Sequence, residues 1–271
     1  RDSSVTGVQT CALPIWGGVT ENSNDEHLNL MHVPAAWDNG LTGADIDSGY
    51  DMGGDGENSD RIVVAVIDSG LAEGHEDIDY NQVISGKNFI SGTDNTADTL
   101  GHGTFIAGEI IAAENGAGII GIAQDAYIMP LKVFASKETE VSTVISAITY
   151  ASEQKEAFDD TNGVSGENIC IINLSLGSET PSVSLEDAVN KAIAAGIIVI
   201  ASAGNDGDII EAYPAQYAIG VGSTDAAGEC SYYSQILSKG NGKGYENKVW
   251  VTAPGEDYTS TWYDGGYYID S

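Results

Sequence analysis

Three polar residues adjoin apolar segments in a way that suits acyl-transfer chemistry. Asp68 follows the apolar run at 62–67, His102 lies between two glycines before an apolar segment, and Asn205 comes shortly after the apolar run at 197–201. A carboxylate can fix the tautomer of an imidazole, which can then act as a general base. A side-chain amide can donate to a developing oxyanion. These residue types therefore predict a shared site for Asp68, His102 and Asn205.

Each of these residues also has an ordinary structural explanation. Alone, Asp68 could cap a strand, His102 could begin a helix and Asn205 could occupy a turn. Asp47 lies in a second Asp-Ser-Gly tripeptide, but the residues before it are not typical of a strand. Asp68 is therefore the better candidate, and its occurrence together with His102 favours the chemical interpretation of both.

The elements that would position these residues alternate between strands and helices. Continuous apolar runs predict buried strands, and amphipathic or apolar segments predict helices. The predicted strands are 62–67, 126–133, Ile169–Leu174, 197–201, 217–222 and 248–252, and the predicted helices are 27–40, 103–113, 141–157 and 184–195. Such alternation indicates βαβ units and a mainly parallel sheet in an α/β domain. Ligands of such sheets bind beyond the carboxyl ends of the strands, where these polar residues lie.

A fourth segment, Ser175-Leu176-Gly177, leaves its strand with small residues in an extended pattern. Such a segment can pair with a peptide by strand addition. The segment is therefore a candidate for holding the backbone of a bound peptide.

Four motifs, in this order, resemble those of the subtilase family of serine endopeptidases. They are VAVIDSG with Asp68, GHGTFIAG with His102, NLSLG with Ser175 and SAGN with Asn205. The resemblance implies a three-layer fold whose parallel sheet is flanked by helices. It also implies that Asp68 orients His102, that His102 acts as general base and then acid, and that Asn205 donates to the oxyanion.

The same resemblance assigns substrate-binding roles. Ser175, Leu176 and Gly177 would line the substrate strand. Walls of the pocket for the side chain before the scissile bond would come from four further residues, Ala203, Gly204, Tyr213 and Pro214.

The family's nucleophile belongs to a Gly-Thr-Ser segment, and this chain contains no such segment. Ala253-Pro254-Gly255 resembles the landmark that precedes it, which would place the serine just beyond Ser271. We therefore expect that the C-terminal part of the fold is missing, that the parent protein is the enzyme and that this chain is inactive. A non-catalytic subtilase-fold binding module is the alternative. A calcium-dependent acidic adhesion domain would explain the charge but not the Asp68, His102 and Asn205 set.

The stretch at 114–119 resembles the family's calcium loop. The resemblance implies one structural Ca²⁺, with Asp77, Asn115 and Ile119 supplying the oxygen ligands that this hard cation prefers. No organic cofactor is expected.

The charge of the chain restricts its partners. The 271 residues include 10 Lys and Arg against 41 Asp and Glu, for a net charge of −31. Nucleic acids and anionic membrane surfaces require cationic side chains, so neither is an expected partner. No apolar run approaches the roughly 20 residues that a membrane span requires. We expect a secreted or cell-surface monomer, although no signal peptide is visible.

The N-terminus has an unusual composition. Residues 5–15, VTGVQTCALPI, read like the translation of a sequencing adapter. Residues 1–15 are therefore predicted to be an assembly artefact, with a genuine N-terminal tail as the alternative. Residues 16–60 are predicted to be an N-terminal segment with an acidic loop, and residues 61–271 an incomplete peptidase domain.

Overall fold

A computed structural model describes residues 4–7, 14–15, 24–43, 61–207, 211–235 and 249–270. Most of the acidic loop predicted at 41–60 lies outside the described residues, so that loop stays a prediction. The predicted origin of residues 1–15 and the division at residue 61 likewise stay predictions.

Within the described residues, strands and helices alternate through the middle of the chain. The strands are β1 (Ser4–Gly7), β2 (Pro14–Ile15), β3 (Val63–Asp68), β4 (Lys87–Asn88), β5 (Tyr127–Lys132), β6 (Glu138–Glu140), β7 (Ile169–Leu174), β8 (Leu176–Gly177), β9 (Ile198–Ser202), β10 (Ile219–Thr224), β11 (Val249–Pro254), β12 (Tyr258–Thr261) and β13 (Tyr267–Asp270). The α-helices are α1 (Asp25–Leu30), α2 (Val33–Trp37), α3 (His102–Ile111), α4 (Val141–Thr161) and α5 (Val183–Ala194), and a 3₁₀-helix spans Tyr80–Gln82.

The central sheet has the strand order β11-β10-β9-β7-β3-β5-β4, and its neighbouring strands pair in parallel. All six residues of β3 are buried, as its unbroken apolar sequence predicts for a strand covered on both faces. The predicted α/β class with a mainly parallel sheet is confirmed.

Alternate residues of β3 pack into two separate hydrophobic clusters. Val63, Ala65 and Ile67 share one cluster with side chains of α4 and α5, whereas Val64 and Val66 share the other with side chains of α3. Because successive strand residues point to opposite faces of a sheet, helices cover both faces. The chain therefore folds into the predicted three layers.

One predicted helix is wrong in its extent. The segment at 27–40 forms two short helices, α1 and α2, instead of one. His32, between them, has a φ of 59° in the left-handed region, which interrupts a right-handed helix. Pro34 lacks the N–H that would continue the hydrogen-bonding pattern from α1.

Two smaller antiparallel sheets flank the central one. Strand β1 lies between β6 and β8, and β13 lies between β12 and β2. The hairpin of β12 and β13 packs on α3 through an aromatic cluster, Phe105, Tyr258, Trp262 and Tyr268. The sequence pattern does not predict this hairpin, because its residues are mainly Tyr, Thr and Ser rather than an apolar run. Within the described residues, the helices lack either the length or the apolar character needed to cross a membrane.

Candidate active site

Asp68 is the last residue of β3, so the strand places it at the carboxyl edge of the sheet. Its side chain is buried, and the residue is 1% exposed. The backbone N–H of Ser69 donates a hydrogen bond of 2.7 Å to Asp68 Oδ1. A buried carboxylate requires such partners, because burial without them is costly.

His102 supplies the main partner. Its Nδ1 lies 2.9 Å from Oδ1 and 2.8 Å from Oδ2 of Asp68. Because an ionised carboxylate only accepts hydrogen bonds, Nδ1 carries the hydrogen and donates it. In the neutral ring Nε2 then has the lone pair that can accept a proton. The side chain of His102 is 16% exposed and that of Asp68 only 2%, so the imidazole is the accessible member of the pair.

The first turn of α3 is held by Asp98. Its Oδ1 accepts hydrogen bonds from the backbone N–H groups of Leu100 at 2.9 Å and Gly101 at 3.0 Å. Its Oδ2 accepts from the backbone N–H of Thr104 at 3.0 Å and from Thr104 Oγ1 at 2.7 Å. Burial raises the pKa of Asp98, but these hydrogen bonds outweigh burial and leave the pKa below its ordinary value.

The two glycines beside His102 permit close packing. Gly101 has a φ of 101°, and a Cβ atom there would overlap the ring of Trp262. A Cβ atom on Gly103 would overlap the carbonyl oxygen of Gly70, two residues after Asp68. Gly103 therefore allows the start of α3 to lie close to the segment after β3, and Gly101 allows it to lie close to Trp262.

A cavity of about 380 Å³ adjoins His102. Four other predicted residues line it, Ser175, Ala203, Gly204 and Asn205. Ser175 lies between β7 and β8, and the other three follow β9. The structure thus gathers residues from α3 and from two strand ends around one cavity.

Among the described residues, four predicted substrate-binding residues do not line this cavity. Leu176 belongs to the main hydrophobic core, and Gly177 ends β8. Tyr213 exchanges two backbone hydrogen bonds with Ser178, of 2.9 and 2.8 Å, which places it beside the end of β8. Pro214 follows Tyr213, and the assignment of both residues to the pocket wall stays a prediction.

Part of the cavity wall was not selected from the sequence. Phe105, Ile106 and Glu109 come from α3, and Gly222, Ser223 and Pro254 come from the carboxyl-terminal halves of β10 and β11. Gly222, Ser223 and Pro254 could have been predicted from the sequence, because ligands of parallel sheets bind beyond the carboxyl ends of the strands. The α3 residues could not, because their side chains face the site only through the docking of the helix.

The small sheet of β6, β1 and β8 leads towards the cavity. Strand β1 is antiparallel to both neighbours, and Gly7 pairs with Leu176. A peptide in the position of β1 would have one residue opposite Leu176. Its next residue would be opposite Ser175, which lines the cavity. Strands β6 and β8 are therefore the two edges of a groove that β1 occupies as an extended strand.

The predicted metal ligands lie apart from the cavity. Asp77 is fully buried, and its Oδ2 accepts a hydrogen bond of 2.9 Å from the backbone N–H of Ile119. Its Oδ1 is buried without a hydrogen-bond partner. Burial raises the pKa of Asp77 to about 6. Asn115 donates from Nδ2 to the Glu76 carbonyl at 3.0 Å and lies close enough to Asp77 to lower that pKa.

This arrangement fits a cation in one respect. Asp77 Oδ1, which is buried without a hydrogen-bond partner, lies near the Asn115 side chain and the backbone at 114–119. These groups offer the hard oxygen donors that Ca²⁺ prefers. Within the described residues, three or more His, Cys, Asp or Glu side chains do not converge on a common point. Backbone and amide oxygens would therefore have to complete the coordination.

His75, two residues before Asp77, has a structural role. Its Nδ1 accepts the backbone N–H of Asp77 at 3.1 Å, so Nε2 carries the hydrogen that it donates to the Gly266 carbonyl at 2.7 Å. Burial lowers the pKa of His75, which keeps the ring neutral. His75 thereby joins the Asp77 segment to the turn before β13.

Comparisons with known proteins agree with this geometry. The family model Peptidase_S8, the subtilase family, matches residues 59–269. Subtilisin Savinase of Lederbergia lenta is 34% identical over 244 residues, which cover 89% of this chain and 75% of that protein. An alkaline protease of Alkalihalobacillus alcalophilus is also 34% identical over 244 residues, 89% of this chain but 53% of that protein. A solved structure titled S41 Psychrophilic Protease superposes with a TM-score of 0.68 at 30% identity, covering 79% of this chain and 72% of the other.

Proposed function

Because the chain belongs to the subtilase family of serine peptidases, we propose that it is part of an endopeptidase that cleaves polypeptides through an Asp-His-Ser triad. The observation that carries the proposal is the contact between Asp68 and His102 Nδ1 at 2.8 Å, beside a cavity that Ser175 and Asn205 also line. This contact fixes the tautomer that general-base catalysis requires.

The chemistry follows from these positions. His102 Nε2 takes the proton of a serine hydroxyl as its oxygen attacks the peptide carbonyl, and Asp68 stabilises the resulting imidazolium. Asn205 donates a hydrogen bond to the oxyanion of the tetrahedral intermediate. His102 then gives the proton to the leaving amine, which leaves an acyl-enzyme. A water molecule repeats the attack with His102 as base and releases the acid and the free serine.

The serine itself belongs, in this proposal, to residues beyond 271. The support is the lack of a Gly-Thr-Ser segment within the sequence. The chain of residues 1–271 is then inactive, although it holds the base, its orienting carboxylate and an oxyanion donor.

The test compares the chain of residues 1–271 with a gene product that continues past residue 271. We expect that only the longer protein hydrolyses casein and reacts with a fluorophosphonate, and that mass spectrometry locates the label on a serine beyond residue 271. His102→Ala in the longer protein should abolish both. If the longer protein binds peptides without cleaving or reacting, it is a binding module and the proposed activity is wrong.

We further propose one structural Ca²⁺ held by Asp77, Asn115 and the Ile119 carbonyl. When bound, the ion would offset the buried charge of Asp77 and join the turn at 114–119 to the segment of His75. The support is the orphaned Oδ1 of Asp77.

Secretion or display at the cell surface is proposed from the net charge of −31, which suits a soluble protein in an environment with screening ions. A monomer is proposed as well. Detection of the protein in the cytoplasm of its source cells would contradict secretion, and a dimer mass in light scattering would contradict the monomer.

A further inference from the structure

A buried lysine lies next to Asp68 on the neighbouring strand of the central sheet. Lys132 ends β5 and is opposite Asp68 in the parallel register of β3 and β5. It is 5% exposed, and its Nζ donates hydrogen bonds to the carbonyl oxygens of Ser69 and Ala97, the latter at 3.0 Å. One ammonium group thus contacts the residue after Asp68 and a residue on the loop that leads to His102.

We propose that Lys132 is a positioning residue of the Asp68–His102 pair, and this proposal rests on the proposed function. Asp68 and His102 belong to different elements, so their contact depends on the spacing between the end of β3 and the start of α3. By holding the Ser69 and Ala97 carbonyls together, the ammonium fixes that spacing.

Two short series of hydrogen bonds connect Lys132 to the helical turn that contains His102. Ala97, whose carbonyl accepts from Lys132, precedes Asp98, whose carboxylate holds the first turn of α3. On the other side, Ser69 Oγ accepts a hydrogen bond of 2.8 Å from the backbone N–H of Gly103. A shift of either carbonyl would therefore move a group that directly contacts the His102 turn.

The charge of Lys132 matters besides its hydrogen bonds. Burying an ammonium group is costly, and a lysine is retained inside a protein when nearby groups compensate for that cost. Burial lowers the pKa of Lys132, while the carboxylates of Asp98 and Asp68 raise it. The cation is thus close enough to Asp98 and Asp68 for their charges to help hold it between the two carbonyl groups.

The experiment needs no catalytic activity, so it uses the chain of residues 1–271. We compare the NMR signal of the His102 Nδ1–H, which reports its hydrogen bond to Asp68, in the wild type, in Lys132→Gln, whose shorter amide cannot bridge the two carbonyls, and in Lys132→Arg, which keeps a long donor and the charge. We expect the signal in Lys132→Gln to move upfield and to lose most of its protection from solvent exchange, because the contact with Asp68 loosens. In Lys132→Arg it should stay near that of the wild type. Lys137→Gln, on a neighbouring exposed lysine, is the matched control and should change nothing.

A purely structural role predicts a different result. Lys132→Gln would then lower the melting temperature but leave the His102 Nδ1–H signal unchanged, and the proposal would be overturned. If Lys132→Gln does not fold, the same signal is measured in Lys132→Met, and an unchanged signal there also counts against the proposal. In a longer, active gene product we expect kcat/KM of Lys132→Gln to fall by about 10-fold to 100-fold, mostly in kcat. If the wild-type gene product cleaves nothing, the proposed function fails, but the NMR comparison still decides the role of Lys132.

Discussion

Asp98 Oδ2 accepts a hydrogen bond of 2.7 Å from Thr104 Oγ1, and Thr104 Oγ1 in turn accepts one of 2.9 Å from the backbone N–H of Ala72. This relay joins the loop before α3, the helix itself and the loop after β3. The three segments that surround the Asp68–His102 contact are therefore connected through one buried carboxylate. A change in the charge of Asp98 should affect all three.

The first prediction concerns Asp98→Asn. The amide keeps the shape of the side chain, but its NH₂ group cannot accept the hydrogen bonds that one carboxylate oxygen accepts. We expect a loss of about 1–3 kcal/mol in the free energy of unfolding, the usual cost of leaving buried donors unpaired. Urea denaturation at pH 7 measures it. Asp94→Asn, on an exposed residue of the same loop, is the control and should cost little.

The same residue predicts a pH dependence. Because folding lowers the pKa of Asp98, its contribution to stability is present above the ordinary carboxyl pKa and is lost as the pH falls through the lower folded value. The stability difference between wild type and Asp98→Asn should therefore shrink below about pH 4. An equal difference at pH 3 and pH 7 would show that charge is not the cause.

Much of this site could be predicted from local sequence, and the reason is physical. The apolar run of β3 ends at Asp68 and the apolar run near β9 is followed closely by Asn205, so the strand pattern alone places both at one sheet edge. The roles of Asp98 and Lys132 could not be predicted in this way, because each depends on backbone groups from a different segment. The break at His32 was missed because one left-handed residue leaves the apolar pattern of a helix unchanged.

The second prediction concerns Asp77 and calcium. Its pKa of about 6 in the folded chain exceeds the ordinary value of 3.8, so without a cation the native state binds more protons than the unfolded state between these values. Stability should therefore fall as the pH rises from about 4 to 6. A bound Ca²⁺ would compensate for the ionised carboxylate, so calcium should raise the melting temperature at pH 7 relative to a chelator.

Calorimetry with calcium or a chelator checks this prediction. Asp77→Asn should abolish both the calcium effect and the fall in stability, whereas Glu73→Gln, on an exposed carboxylate of the same loop, should keep both. A melting temperature at pH 7 that is the same with calcium and with chelator would contradict the proposed ion.

The third prediction concerns Asn205, which lines the cavity with His102. If its amide donates to the oxyanion, the hydrogen bond is made mainly in the transition state, so Asn205→Ala should lower kcat and leave KM nearly unchanged. We expect a decrease of about 10²-fold to 10³-fold in a longer, active gene product, as is typical for one oxyanion-hole donor. Steady-state kinetics with a peptide anilide measures it. A rise in KM at constant kcat would instead assign Asn205 to ground-state binding.

The fourth prediction concerns the edge strand β6. Glu138 and Glu140 are exposed and flank the buried Thr139, so both glutamates lie on one face of the strand. In the small sheet, Glu138 is opposite Thr6 of β1 and Glu140 is opposite Ser4. A peptide in the position of β1 would therefore have two alternate residues opposite the two glutamates. Opposite charges directly across a strand pair contribute roughly 0.2–1 kcal/mol, and like charges destabilise by similar amounts.

We therefore expect peptides with Lys at two alternate positions to bind several-fold more tightly than peptides with Glu there, and salt to reduce the ratio. Fluorescence anisotropy on the chain of residues 1–271 measures it. Each peptide has to replace β1, but that cost is common to all peptides and cancels in the ratio. Glu138→Gln with Glu140→Gln should remove the preference. The control pair, Glu153→Gln with Asp160→Asn, changes the net charge equally on exposed residues of α4 and should retain it. Equal loss in both pairs would attribute the preference to the net charge of −31 and not to the groove.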